Sequence, residues 1–379
     1  MTNKSQVLTT TNLPMYSIQT FLRNYILVAG GGGSSKTGIT NGFEVYKICK
    51  DGKSLTMRKV IRHDSGPCVI MNNCCYKNGS KIYIICNEDD KCRQYTADII
   101  LEPSFGNGKT TKELNFQIST GRSLVTDFNE DEPLQRIVKV NSSGNIMVTG
   151  GTDGCIRLWN FPIKEDNNPE PLKVFTGHTK EIDDIDISSD GASIASVAKD
   201  GQAFHWNTVT NTKSNLLHPT NKKQIFKRCR FGIINDKPTY NIYTIANGPN
   251  QKSFLQRWSY DNKIIYEFQF AEPTSALAVR EDGLYIAVGT MFSGSVSIHE
   301  AYDLKMIYSV KQAHAMFVTG LEFLNKDFVP ETKAAVLSIS VDNRICFHNV
   351  PCKTLVSFWK LFIIIHFILL LFYIIIFNS

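Results

Sequence analysis

Three segments of this chain can be laid over one another: GNIMVTGGTDGCIRLWN (144–160), GASIASVAKDGQAFHWN (191–207) and KAAVLSISVDNRICFHN (333–349). Each has an apolar strand-like run, a short turn carrying an aspartate, a second run, and an aromatic residue or histidine near its end. Asp153, Asp200 and Asp342 stand six residues before Trp159, Trp206 and His348. Weaker copies occur at 79–95, 240–259 and 283–300, and 24–48 fits the same two-strand frame. The end markers Tyr46, Tyr95, Trp159, Trp206, Trp258, His299 and His348 are 41–52 residues apart, except for a gap of 64 between Tyr95 and Trp159. A period in the forties with Trp-Asp-type punctuation predicts radially repeated sheets, a β-propeller. Seven units predict seven blades in an all-β domain.

Several local expectations follow from that frame. Gly177-His178 supplies the Gly-His pair that often opens such a repeat, and His178, Asp200 and Trp206 are expected to form a buried hydrogen-bonded brace within one blade. The early segment MYSIQTF (15–21) is expected to pair with the last blade and close the ring, which removes exposed sheet edges. The extra length at 100–133 is assigned an outer strand plus a surface loop. The propeller is placed at 1–350, with a linker over 351–360.

The segment Leu361–Phe377, LFIIIHFILLLFYIIIF, has His366 as its one ionisable group. As a helix it would measure roughly 25 Å, against about 27 Å for the thin bilayer of the endoplasmic reticulum. Lys360 can snorkel and let Phe358 and Trp359 lengthen the span. A transmembrane helix over 361–377 is therefore expected, and Lys353 and Lys360 place the propeller on the cytosolic side. The ten cysteines form no CxxC pair and no zinc spacing, which suits a reducing compartment. Cys352 stands near the membrane as a candidate for acylation. A net charge of +6 over 379 residues is too thin to imply nucleic acid by itself. Lys222, Lys223, Lys227, Arg228 and Arg230, with Phe226 among them, form a local basic run that reads as a solvated turn leading into a blade. EIDDIDISSD (181–190) reads as an ordinary strand with one wet face.

The stretch ILVAGGGGSSKTGITNGFEVYKI (26–48) raises a sharper question, because Lys36 and Thr37 follow Gly30–Gly33 at the spacing of a phosphate-binding loop. Ser35 stands where that loop needs glycine, and the segment leads into a strand rather than a helix whose N-terminus would hold an anion. A strand enters, a glycine-rich loop bulges out, and a strand leaves. Asn41-Gly42 reads as a tight turn, which places Ile39 and Asn41 at the projecting tip.

That loop, in the first blade of a propeller with a C-terminal anchor, resembles the prolactin regulatory element-binding protein family. The family comprises endoplasmic reticulum guanine-nucleotide exchange factors for the small GTPase of the COPII coat. The resemblance covers the chain in architecture and is specific at the loop; the later blades share generic WD-repeat features, and several lack the Trp or the Gly-His. It implies that Gly30, Gly31, Gly32, Gly33, Lys36, Thr37, Gly38, Ile39, Thr40, Asn41 and Gly42 form the GTPase-contacting loop. It also implies a potassium ion as a candidate ligand of the loop's backbone carbonyls. The partners implied are the small GTPase and the membrane, with no nucleic acid, no small-molecule substrate and no covalent chemistry. A membrane-tethered scaffold without exchange activity is the alternative reading, and a nucleic-acid-binding propeller is a third that the anchor argues against.

Overall fold

The computed structural model describes residues 5–34, 38–52, 54–106, 109–164, 169–210, 212–216, 223–234, 237–259, 261–352 and 366. Its strands form seven antiparallel sheets of four strands each, arranged as the blades of a propeller. The first blade runs Met15–Leu22, Tyr25–Gly30, Asn41–Asp51 and Ser54–Gly66, from the axis outward. The next five begin at Asn73, Gln135, Ile182, Ile225 and Thr274 and follow the same order. The seventh contains Val318–Phe323, Thr332–Ser340 and Arg344–Pro351, and its outermost strand is the N-terminal Gln6–Thr10.

Ring closure therefore differs from the sequence expectation. Gln6–Thr10 pairs with the last strand, from Gln6 opposite Phe347 to Thr10 opposite Arg344, while MYSIQTF is the innermost strand of the first blade. The reason is burial. Met15, Ile18 and Phe21 fill gaps on either side of the first blade, whereas Gln6–Thr10, with no residue fully buried and Val7 exposed, suits an edge with one side in solvent.

Apolar side chains collect between blades rather than inside one central core. Seven clusters occur, each joining two adjacent blades, so every blade is held by both neighbours. Five of the end markers, Tyr46, Tyr95, Trp159, Trp206 and Trp258, belong to these interfaces. Tyr46, Tyr95, Trp159, Trp206, Trp258, His299 and His348 all lie buried on the third strand of their blade. The long stretch after Tyr95 forms the hairpin Lys91–Gly106 and Lys109–Val125, whose outer strand precedes a loop over 126–134. Glu113 on that hairpin accepts from Lys47 and Arg58 of the first blade.

Among the described residues no helix is long and apolar enough to cross a membrane. The expected span 361–377 lies, apart from His366, outside the described residues.

Candidate functional site

In an antiparallel four-stranded blade, the connection between second and third strands emerges on the same face as the link to the next blade. The glycine-rich loop is this second connection in the first blade, bridging Gly30 and Asn41. Its two ends are buried, and its described middle, from Ser34 and from Gly38 to Thr40, is exposed. Lys36 and Thr37, together with Ser35, lie outside the described residues.

The base of the loop is tightly built. The Gly31 amide donates to the Pro14 carbonyl at 3.1 Å. Asn41, only 4% exposed, reaches across with its side chain. Its Oδ1 accepts from the Gly33 amide at 2.8 Å. Its Nδ2 faces the carbonyls of Gly33, Gly66 and Pro67 at 3.2, 3.1 and 2.9 Å. Asn41 thereby ties the ascending limb of the loop to the link between the first and second blades. Two glycines make room for this. A side chain on Gly31, at φ +141°, would place its Cβ 2.2 Å from Asn41 Oδ1, and one on Gly42, at φ +151°, would strike the His63 carbonyl at 2.1 Å.

Asn41 and Gly42 are thus not a projecting turn. They open the strand Asn41–Asp51, with a register shift against the neighbouring strand between them, which is a β-bulge. Asn-Gly serves a bulge as well as a turn, because both need an unusual backbone and a local side-chain hydrogen bond. Asn41 is accordingly removed from the tip, where Gly38, Ile39 and Thr40 remain.

Ile39 is 37% exposed, the one apolar branched side chain in a loop otherwise of glycine, serine, threonine and Lys36. Thr40 is held by Arg62, whose guanidinium lies 2.6 Å from Thr40 Oγ1 and also approaches its carbonyl. Arg62 itself is set by Glu44 at 3.1 Å and Asp64 at 2.8 Å. Glu44 is buried, and it accepts from Tyr46 Oη at 2.5 Å and from Lys59 at 3.1 Å. Burial, reinforced by the Glu44 carboxylate, pushes the Tyr46 phenol far above its ordinary range, so Tyr46 stays a hydrogen-bond donor to Glu44. The descending limb is therefore anchored through Thr40, Arg62 and Glu44 to the blade interior.

The carbonyls of Gly33, Gly66 and Pro67 are a converging set of the kind that could hold potassium. They converge on the Asn41 amide. No group of three or more His, Cys, Asp or Glu able to hold a metal occurs among the described residues.

The blade brace is assembled differently from its sequence outline. His178 Nδ1 lies 3.0 Å from Asp200, and His178 Nε2 lies 2.9 Å from Ser196 Oγ. The Trp206 indole donates to the same Ser196 oxygen at 2.8 Å. Ser196 is the member that sequence reading missed, and it joins the other three. The seventh blade repeats the set as His314, Asp342, Ser338 and His348. Trp159 and Trp258 donate to Thr149 and Thr244 at 2.8 Å. A hydroxyl ten residues ahead of the marker, as at Thr149, Ser196 and Ser338, was the available signal. Their hydrogen bonds tie the second and third strands of one blade to each other and to the link that enters it.

The same face carries exposed apolar side chains: Met71, Phe128 and Met316 on inter-blade links, and Met291 and Phe292 on the sixth blade's second connection. Sequence reading singled out none of them, because they come from four separate connections that only the ring gathers.

Comparison with known proteins agrees with this architecture. The WD domain, G-beta repeat model matches residues 134–160 and 169–207, which span the third blade and most of the fourth. The chain is 27% identical to the guanine nucleotide-exchange factor SEC12 of Rattus norvegicus, covering 93% of this chain and 92% of that protein. The Mus musculus protein of the same name is 26% identical over the same shares. SEC12-like protein 1 of Arabidopsis thaliana is 27% identical over 53% of this chain and 49% of its own. With similarity running along nearly its whole length and a propeller to match, the chain resembles the proteins named guanine nucleotide-exchange factor SEC12.

Proposed function

We propose that this protein is a guanine-nucleotide exchange factor for the small GTPase that initiates COPII coat assembly. It is held at the endoplasmic reticulum by its C-terminal apolar segment, and the first-blade loop acts on the GTPase. The observation that carries this reading is the contrast within the loop between a clamped base and an exposed tip with Ile39. A loop anchored on a rigid scaffold can press into a partner without collapsing. Ringed on the same face by Met71, Phe128, Met291, Phe292 and Met316, it stands on a surface suited to docking a protein. Full-length similarity to proteins named as exchange factors supports the activity class.

Exchange requires no covalent step. It requires tighter binding to the nucleotide-free GTPase than to the loaded one, because a partner with equal affinity for both shifts nothing. Ile39 supplies an apolar wedge for that differential contact. Gly38 and the glycines 30–33 let the chain leave and re-enter the blade, with Thr40 and Lys36 as polar neighbours of the tip. Asn41 acts one step back, by holding the tip in place. The test is release of fluorescent GDP from the COPII GTPase with and without the full chain. Acceleration supports the proposal; stable binding without acceleration would make the protein a tethered scaffold. Orientation is tested by protease added to intact microsomes, which should digest the propeller; a protected propeller would contradict a cytosolic placement.

A further inference from the structure

The basic run at 222–230 is a solvated turn only at its start, where Lys223 stands exposed in a turn. Residues Ile225–Ile234 are the innermost strand of the fifth blade, and Phe226 is buried against the fourth. Lys227, Arg228 and Arg230 consequently line the axial channel, while Lys222 lies outside the described residues. The acid-rich strand Ile182–Ile187 is the innermost strand of the fourth blade, and its wet side is this same channel. Asp184 accepts from Arg230 at 2.6 Å and Asp183 from Lys227 at 3.0 Å.

Two adjoining cavities, of about 190 and 400 Å³, occupy the half of the channel that opens on the loop face. Five cations line them, Arg136, Lys139, Lys227, Arg228 and Arg230, against the carboxylates Asp183 and Asp184, and the carboxyls of Asp186 and Glu322 also act on Lys139 and Arg230. Two ion pairs account for Asp183 and Asp184. Arg136 stands 4.0 Å from the already engaged Asp183, and Arg228 donates only to the neighbouring Lys227 carbonyl at 2.8 Å. The deeper cavity is also lined by Gln135, 1% exposed, whose Nε2 and Oε1 have no hydrogen-bond partner within the protein. An unpaired buried amide costs stability, and cations crowded into one recess without carboxylate partners of their own, as at Arg136 and Arg228, repel one another. One ligand relieves both: an anion with several acceptor oxygens, matched to planar guanidinium donors.

We infer that the loop-face half of the axial channel binds a small phosphate-bearing anion through Arg136, Arg228, Lys139 and the Gln135 amide. The site is independent of the glycine-rich loop and of exchange activity. The channel's recess favours a soluble phosphate ester over a large polyanion, and a duplex or extended nucleic acid could not enter cavities of this volume.

The test is calorimetric titration of the purified full chain with inorganic pyrophosphate at low ionic strength. Saturable binding with Kd below about 1 mM is expected. The double variant Arg136→Gln/Arg228→Gln should weaken it by at least about tenfold, because charge-assisted contacts are the strong ones. The surface pair Lys81→Gln/Lys180→Gln should leave it unchanged. Gln135→Met should weaken pyrophosphate binding while melting at or above the wild-type temperature, which separates a ligand-binding amide from a structural one. Co-sedimentation with phosphatidylcholine vesicles, with and without phosphatidic acid, separates two sources of the phosphate. Binding to free pyrophosphate identifies a soluble ester, and Arg228-dependent capture by the doped vesicles alone identifies a lipid headgroup; either supports the site. No binding in either arm, or equal binding by the double variant, overturns it. Loss of GTPase binding by the double variant, with no anion bound by wild type, would assign these charges to the protein partner and overturn it equally.

Discussion

Replacing Asn41 by alanine separates a loop that is held from a loop that merely projects. The side chain makes four hydrogen bonds at the loop base, one from the Gly33 amide and three to the carbonyls of Gly33, Gly66 and Pro67. Two amide protons cannot fully serve three acceptors, so about three bonds' worth of interaction is at stake. At about 1 kcal/mol net for each, and more for a buried group left unpaired, Asn41→Ala should cost roughly 2–4 kcal/mol. Asn41→Asp should be no better, since its second oxygen would face those same carbonyls. Chemical denaturation of the full chain, followed by circular dichroism, reads the loss, and GDP release should slow as well because the tip is no longer positioned. An Asn41→Ala protein with wild-type stability would refute the clamp and return Asn41 to the surface as a contact residue.

Three further outcomes are expected. Ser196→Ala leaves His178 Nε2 and the Trp206 indole without their shared oxygen; it should destabilise the protein by roughly 2–4 kcal/mol, and unchanged thermal melting would show that the brace carries no weight. Burial holds the His299 imidazole down at about 4 and that of His348 at about 3, from an ordinary 6.5. The unfolded chain therefore takes up protons first as pH falls, so stability that is complete above pH 6.5 declines toward pH 4, by about 3 kcal/mol for His299 alone; denaturation midpoints that do not move between pH 7 and pH 5 would contradict this. Trp206→Ala should cost roughly 3–5 kcal/mol by cavity formation, and a variant as stable as wild type but inactive would make Trp206 part of a working site rather than a strut.

What could be read from the sequence follows from where each feature gets its constraint. The blades were legible because third strands carry a side chain large enough to fill the gap to the preceding blade, as Trp159, Trp206 and Trp258 do. Those demands are local and recur with the period. Ring phase is not local. Gln6–Thr10 and Met15–Leu22 both read as strands, and only packing against the seventh blade decides which of them closes the ring. The misplacement of Asn41 has a similar source, since Asn-Gly answers equally to a turn and to a bulge, and its partners Gly66 and Pro67 come from the following link. The charges at Asp184 and Arg230 looked like solvated faces because each is followed by apolar neighbours on its own strand. They meet across two blades only when the ring is built.

The central claim is that the exposed tip of the first-blade loop drives nucleotide release. Ile39 makes the cleanest probe, because it is exposed and contributes to none of the interblade clusters. Ile39→Ala in the full chain should keep the wild-type circular dichroism spectrum and melting temperature while GDP release from the COPII GTPase slows by at least about tenfold, or roughly 1.4 kcal/mol of lost transition-state stabilisation. A folded Ile39→Ala protein that releases GDP at the wild-type rate would contradict the account and place the active surface elsewhere on the propeller.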